Sequence, residues 1–315
     1  MQFINEWLLI STRIVAALCL VSGFLSPRAQ AGEVVLEDNS VRVAFDADSA
    51  ALTRFEDKSG HWIIERRPEL GVSFRLFAPL PHRRYNPVFG QKQRAVEVKK
   101  ISANEIEFQW QNLVSENGGV LRMILTAEVT LTNGSLTFGG TLKNNSSLTV
   151  ETIDYPYFGD FNPPSRDSSL AAQTVGNGGV DHLQTNEVYP HFRNEKGYWG
   201  VNYPTKTLEA QPSRFCLIQA PGEGLYAQID KPGMAYRLQY TFELHPGLLS
   251  TANNLVPPGD EISGFPVHLE FRFCHFVFAP PNSKMTLTPI VLRCYRGSWQ
   301  NGVDLYQRWR SMLPH

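Results

Sequence analysis

A histidine and a carboxylate close together in one segment are the first candidates for chemistry in this 315-residue chain. His268 and Glu270 are two residues apart in an alternating segment, so they share one face of a predicted strand, and Arg272 continues the row. A base and an acid at this separation can move protons to and from a small ligand. A solvated outer face of a sheet has the same pattern, so the alternative is that these side chains are exposed to solvent and have no function.

Aromatic side chains crowd the irregular stretch Asn186–Pro204. Aromatic rings with polar neighbours suit sugars, because the C–H face of a pyranose stacks on a ring while side chains bind its hydroxyls. This predicts carbohydrate contact, and His191 becomes a second candidate base for proton transfer at a sugar's anomeric centre. The alternative is that the rings close the end of a β-sandwich. The predicted sugar-binding residues of the stretch are Tyr189, His191, Trp199 and Tyr203.

A basic loop, Pro79–Tyr85, contains Arg84, whose guanidinium could bind a carboxylate of an acidic polysaccharide through two hydrogen bonds. A solvated surface loop explains it equally. Gly176–Gly179 is glycine-rich, but the strand and helix of a phosphate-binding loop do not flank it. The Cys and His spacing is not that of a zinc site, so we expect neither a metal nor a cofactor.

The charge balance excludes some partner classes. Lys and Arg number 29 and Asp and Glu 30, and charged residues make up 19% of the chain. No bulk electrostatic attraction to nucleic acid or anionic membranes follows. A neutral carbohydrate is compatible with this composition.

The N-terminus has the pattern of a secretory signal. Ile14–Leu25 is an apolar run of about a dozen residues, too short to span a bilayer comfortably, and Ala29-Gln30-Ala31 suits signal peptidase. We expect residues 1–31 to be removed before Gly32, which gives a secreted or periplasmic protein without a membrane segment. An uncleaved anchor is the alternative. The remaining cysteines lie in apolar segments and are expected to be buried thiols, with a Cys274–Cys294 bridge as the alternative: Cys216, Cys274 and Cys294.

Period-two alternation dominates residues 32–300. In Val120–Leu131, residues such as Leu121, Met123 and Leu125 share one face. Strands of this kind without intervening helices predict an all-β fold of two large antiparallel sheets packed face to face. Phe158–Thr207 is predicted to be an irregular excursion. Further strands are predicted at Val41–Phe45, Val72–Phe77, Glu105–Gln111, Leu136–Leu142, Met234–Leu244 and Val267–Phe273.

Residues 301–315 predict a short C-terminal helix. Val303, Tyr306, Trp309 and Leu313 recur at helical spacing, and Pro314 ends the pattern. This apolar stripe requires a surface to lie against. The surface is either the sheets of this chain or a domain supplied by another chain.

The order of several segments resembles the galactose mutarotase-like β-supersandwich. LEDNSVRVAFDADSAALTRFEDKSGHW resembles its opening strands, NNSSLTVETIDYPYFGDF its central strand, and APGEGLYAQIDKPG a later hairpin that contains Asp230. The terminal IVLRCYRGSWQNGVDLYQRW is similar to the connector that leads into a (β/α)₈ catalytic barrel in secreted glycoside hydrolases, including endo-α-N-acetylgalactosaminidase relatives. The resemblance implies a sugar-contacting role for Asp230. It also implies that the catalytic carboxylates lie in a barrel outside this sequence.

Three functions follow as expectations. The first is an exported supersandwich that binds or scaffolds carbohydrate and lacks the catalytic barrel. The second is a mutarotase-like or epimerase-like enzyme that uses a histidine and a carboxylate, for which His191, His268 and Glu270 are the candidates. The third is protein contact alone, with Tyr306 and Trp309 docking a partner barrel.

Overall fold

The structure is a computed structural model that describes residues 32–60, 63–65, 72–159, 161, 170–176, 179–188, 205–210, 214–230, 235–245 and 268–313. These residues form twenty strands and one α-helix. The bounds are β1 Glu33–Glu37, β2 Val41–Asp46, β3 Leu52–Asp57, β4 Ile63–Glu65, β5 Arg75–Phe77, β6 Pro87–Phe89, β7 Glu97–Ser102, β8 Glu105–Ser115, β9 Gly119–Thr132, β10 Ser135–Asn144, β11 Thr152–Phe158, β12 Leu170–Gly176, β13 Gly179–Val188, β14 Thr205–Glu209, β15 Phe215–Ala220, β16 Glu223–Ile229, β17 Leu238–His245, β18 His268–His275, β19 Ser283–Thr286, β20 Ile290–Arg296 and α1 Trp299–Ser311.

The strands form three antiparallel sheets. The four-stranded sheet has the order β1-β2-β3-β4, and the six-stranded sheet has the order β14-β17-β18-β11-β5-β6. The ten-stranded sheet runs β13-β12-β15-β16-β20-β10-β9-β8-β7, with β19 paired to β10. The predicted all-β antiparallel class is confirmed.

One apolar core joins the three sheets. In β9 the predicted alternation holds, because Leu121, Met123 and Leu125 are buried while Arg122 is exposed. Aromatic rings connect the layers: Phe45 of β2 lies 5.4 Å from Phe108 of β8, and Phe138 of β10 lies 5.7 Å from Phe158 of β11, between ring centres. Burial of these rings stabilises the packing of sheet on sheet.

The predicted irregular excursion Phe158–Thr207 is wrong in part. β12 and β13 form an antiparallel pair that extends the ten-stranded sheet, and β14 is the edge strand of the six-stranded sheet. Two of these strands, β13 (GVDHLQTNEV) and β14 (TKTLE), are edge strands, and their sequences alternate weakly. Strands at a sheet edge need little apolar surface, so period two is a poor guide to them.

Helix α1 lies against the outer side of β15, β16 and β20. It begins at Trp299, two residues before the predicted Asn301, and buries Val303 in a second apolar cluster with Phe215 and Leu217. At Gly302 a Cβ atom would lie 2.7 Å from Leu217 Cδ2, so glycine permits the close approach. The stripe therefore finds its surface within this chain.

The structure tests the predictions on the cysteines and on a membrane-spanning helix. Cys216, Cys274 and Cys294 are all free thiols, so the alternative Cys274–Cys294 bridge is not formed. Over the described ranges, no helix has the length and apolar character needed to cross a membrane.

Candidate functional site

The outer face of the six-stranded sheet carries ionisable side chains on four adjacent strands, β17, β18, β11 and β5. Alternation accounts for the two faces: Phe242, Phe271 and Leu76 point into the core, and their neighbours point away from it. We name the ionisable side chains on this outer face the charged cluster: Arg75, Asp154, Tyr157, Glu243, Glu270 and Arg272.

The strand register brings the cluster together. Glu243 pairs with Glu270, and Arg272 pairs with Tyr157. Asp154 pairs with Arg75 on the next strand. The pairing of β11 with β18 shifts between Asp154 and Tyr157, which lets both side chains contribute to the same face although they are three residues apart.

Arg272 is the centre of the charged cluster. Its guanidinium forms ion pairs with all three carboxylates: Nε lies 3.2 Å from Asp154 Oδ2, Nη1 lies 3.4 Å from Glu270 Oε2, and Nη2 donates to Glu243 Oε2. The Nε contact lacks hydrogen-bond geometry and is electrostatic. A single buried cation thus holds three carboxylates in place.

Arg75 and Tyr157 complete the network. Arg75 Nε donates to Asp154 Oδ2 at 2.8 Å, and its Nη2 lies 4.0 Å from Glu243 Oε2. The Tyr157 hydroxyl donates to Glu270 Oε2. Both guanidiniums lie over the Tyr157 ring, with their carbons 5.7 Å (Arg75) and 5.6 Å (Arg272) from its centre.

The charged cluster is largely covered. The side chain of Asp154 is 2% exposed, whereas Glu243 and Arg75 keep 13% and 15% exposure. Glu243 and Arg75 are therefore the members through which a ligand can approach. The row of Glu270 and Arg272 is buried, so the alternative of a solvated outer face does not apply to these two residues.

Electrostatics fix the protonation states of two members of the cluster, Arg75 and Tyr157. Burial by itself lowers the pKa of Arg75, but Tyr157, Asp154 and the two glutamates outweigh it and raise that pKa well above its ordinary value. Burial, followed by the charge of Glu270, raises the pKa of Tyr157 well above its ordinary value. The guanidinium therefore stays charged and the phenol stays protonated, so both remain hydrogen-bond donors.

His275, at the end of β18, is buried and fully engaged. Its Nε2 lies 2.7 Å from the Tyr155 carbonyl oxygen and its Nδ1 lies 2.9 Å from the Tyr236 hydroxyl. A carbonyl only accepts, so Nε2 carries the hydrogen and Tyr236 donates to Nδ1. The Tyr236 oxygen accepts the Thr288 N–H at 2.6 Å. Burial lowers the pKa of His275 to about 4, which makes it a neutral packing residue and not a base.

The sequence-predicted catalytic candidates have different outcomes. Glu270 belongs to the charged cluster. His268 is the first residue of β18 and pairs with His245, and its side chain lies outside the described part of the structure. Tyr189, His191, Trp199 and Tyr203 lie outside the described residues.

The other predicted binding residues are occupied by partners within the chain. Arg84 donates to both carboxylate oxygens of Glu151, at 3.0 and 2.6 Å, although its side chain is 81% exposed. Asp230 accepts a hydrogen bond from Trp309 Nε1 at 2.8 Å, beside helix α1 on the ten-stranded sheet. The structure does not bring Asp230 to the charged cluster.

Three members of the charged cluster were missed in the sequence: Arg75, Asp154 and Tyr157. The available signal was a charge inside an apolar strand, as in FRLF for Arg75 and IDYPYF for Asp154. Such a charge requires a partner when the strand is buried. Within the described ranges, no three histidine, cysteine or carboxylate side chains are placed to share a metal ion.

Several solved structures with similar architecture have sugar-related names. A putative aldose 1-epimerase from Escherichia coli matches 84% of this chain and 99% of its own length, at 11% identity and a TM-score of 0.48. A galactose mutarotase-like protein from Lactobacillus casei matches 84% and 99%, at 13% identity and 0.46. A GH36 α-galactosidase, AgaA from Geobacillus stearothermophilus, matches 89% of this chain at 7% identity and 0.51.

The chain has the galactose mutarotase-like fold. The α-galactosidase match decides this, because its TM-score exceeds 0.5, and this chain covers 43% of that enzyme. The supersandwich predicted from the order of segments is therefore confirmed as a fold. No protein-family model matches the sequence, and no curated protein matches it. Identities this low carry the fold and no residue's role.

Proposed function

We propose that this chain is an exported carbohydrate-binding or scaffolding module without a complete catalytic site, and that sugar binds at the charged cluster. The observation that carries the proposal is the set of fixed donors and acceptors on the face of the six-stranded sheet opposite the core. The α-galactosidase with this fold is described in complex with stachyose and is more than twice as long as the matched region. A catalytic barrel on another chain is the proposed partner.

The chemistry of the charged cluster suits a neutral sugar. A sugar hydroxyl both donates and accepts, so it can bridge a carboxylate oxygen and a guanidinium. Among the described residues, three carboxylates of the charged cluster face two guanidiniums, so both acceptors and donors are available to a sugar hydroxyl. Glu243 and Arg75 are the most exposed members and provide the first contacts.

The same contacts argue against proton transfer by Glu270, the carboxylate of the epimerase alternative, whose candidate histidines His191 and His268 have side chains outside the described part of the structure. Proton transfer requires a carboxylate or imidazole that is free to gain and lose a proton. Glu270 and Glu243 both contact Arg272, and both ring nitrogens of His275 are hydrogen-bonded. These groups hold a ligand in position better than they exchange protons with it.

The direct test is binding of the exported chain to a panel of neutral and acidic glycans. Glu243→Gln keeps the shape of the side chain but removes its charge, so we expect at least tenfold weaker binding of the retained glycan. Glu209→Gln is the matched control, since Glu209 lies on the same sheet and pairs with the exposed Arg237. It should bind as the unaltered chain does.

Two results would overturn the proposal. Retention of no glycan by a folded chain would reduce it to a structural role. An anomer-equilibration rate above background, measured by polarimetry and abolished by Glu270→Gln, would establish the epimerase alternative instead. Circular dichroism spectra of each variant separate lost binding from lost folding.

A further inference from the structure

Aromatic residues continue the outer face of the six-stranded sheet beyond the charged cluster. Phe77 follows Arg75 by two residues on β5, so the two side chains share that face. On β6, Phe89 pairs with Arg75 and Pro87 pairs with Phe77. The face thus changes from charged to apolar towards the β6 edge.

A chain of contacts connects the charged cluster to a solvent-exposed ring. The Arg75 guanidinium carbon lies 5.2 Å from the centre of the Phe77 ring, and Phe77 lies 5.9 Å from the ring of Tyr85. Tyr85 is 43% exposed. An exposed aromatic ring next to fixed hydrogen-bond donors and acceptors can stack on the face of a sugar while those groups bind its hydroxyls.

The loop that carries Tyr85 is tied to its neighbours. Asn117 Nδ2 donates to the Tyr85 carbonyl oxygen at 3.0 Å. The buried Asn86 donates to the Ala78 carbonyl at 2.8 Å and accepts the Asn117 N–H at 3.0 Å. Tyr85 is therefore held in place before any ligand arrives, which lowers the entropy cost of binding.

The charge beside Tyr85 is balanced and the face is long. Arg84, next to Tyr85 in the chain, is paired with the carboxylate of Glu151, so a sugar ring stacked on Tyr85 would meet a neutralised guanidinium.

From β17 to β6 the face crosses five adjacent strands, about 19 Å at the usual strand spacing. This exceeds the width of one sugar ring.

We propose that the outer face of the six-stranded sheet binds a neutral oligosaccharide, with one unit at the charged cluster and the next stacked on Phe77 and Tyr85. The inference rests on the proposed function and extends it to ligand length. It adds Phe77 and Tyr85 as residues that select longer chains over monosaccharides.

Isothermal titration calorimetry tests the inference. The ligands are neutral sugars of increasing length, from monosaccharide to hexasaccharide, and include galactose, raffinose and stachyose. Affinity should rise when a second and third unit are added. Tyr85→Ala should lower the affinity for a tetrasaccharide about tenfold and change the affinity for a monosaccharide by less than about twofold. Tyr85→Phe should retain the longer-chain affinity. Trp299→Ala, a partly exposed ring beside the ten-stranded sheet, is the control and should change neither.

The outcomes separate the two proposals. Binding that is weakened by Glu243→Gln but does not grow with length, or is unaffected by Tyr85→Ala, overturns this inference and leaves the proposed function standing. Binding of no glycan at any length overturns both. Because Tyr85 is exposed, its replacement should leave the melting temperature nearly unchanged, so lost affinity cannot be ascribed to misfolding.

Discussion

At the scale of single residues, the charged cluster has a high desolvation free energy for the face of a sheet. Removing charges from water costs several kcal/mol per ion, and apolar replacements of buried ion pairs are often as stable. Asp154, Glu270 and Arg272 are nevertheless buried and mutually paired. Stability alone does not require them, which favours a role in binding.

His275 gives a residue-scale prediction about pH. Its pKa is lowered to about 4 by burial, against the ordinary 6.5, although the Tyr155 carbonyl and Asp154 act in the opposite direction. Between these values the unfolded chain binds more protons than the folded one, so stability is complete above pH 6.5 and falls as the pH falls. We expect a loss of about 3 kcal/mol by pH 4 from this residue.

Urea unfolding at a series of pH values measures the effect. His275→Gln removes the titrating ring, so the variant should be less stable at neutral pH but should lose less stability on acidification. An unchanged slope between pH 6.5 and pH 4 would show that another group is responsible.

Residue-scale reading of the sequence singled out Glu270 and Arg272 of the charged cluster, because they are two residues apart in a clear strand. Asp154 and Tyr157 are three apart, and strict alternation assigns them to opposite faces. The register shift in β11, set by pairing with β18, places both on one face, and a single sequence does not contain that pairing.

At the scale of elements, helix α1 is bound to the ten-stranded sheet by aromatic contacts. Tyr306 lies 4.5 Å from Phe215 and 5.7 Å from Trp309, between ring centres. Tyr306 and Trp309 therefore already contact this chain, and docking of a partner through them would compete with these contacts. The docking prediction itself stays a prediction.

Tyr306→Ala tests the attachment of the helix. Loss of a half-buried ring that stacks on Phe215 should lower the free energy of unfolding by about 2 kcal/mol. Gln307→Ala, at an exposed position of the same helix, should have little effect. Denaturant midpoints compare the two. Equal midpoints would mean that the Tyr306 ring adds nothing to the stability of the sandwich.

At the scale of the whole molecule, the continuous core predicts one cooperative transition. Residues of all three sheets belong to a single apolar cluster, so no sheet keeps its core when another opens. Cys216 of β15 is fully buried within it, and burial raises the pKa of its thiol. The thiol should be unreactive until the chain unfolds.

Thiol labelling against urea concentration, in a chain with Cys274→Ser and Cys294→Ser, measures this directly. Labelling of Cys216 should follow the same curve as the loss of circular dichroism. Labelling at lower urea would reveal independent opening of the β12–β16 part of the ten-stranded sheet and contradict a single transition.

The sequence by itself determined the antiparallel all-β class, most of the long strands, the terminal helix and the likeness to a mutarotase-like supersandwich. The class, the strands and the helix depend on local periodicity, because each strand or helix contains its own pattern. The likeness came from the order of the quoted segments. The charged cluster was decided by tertiary structure, because its members come from strands as far apart in the chain as Arg75 and Arg272. Sheet register brought them together. Register depends on how distant segments pair, and period two is the same in every register.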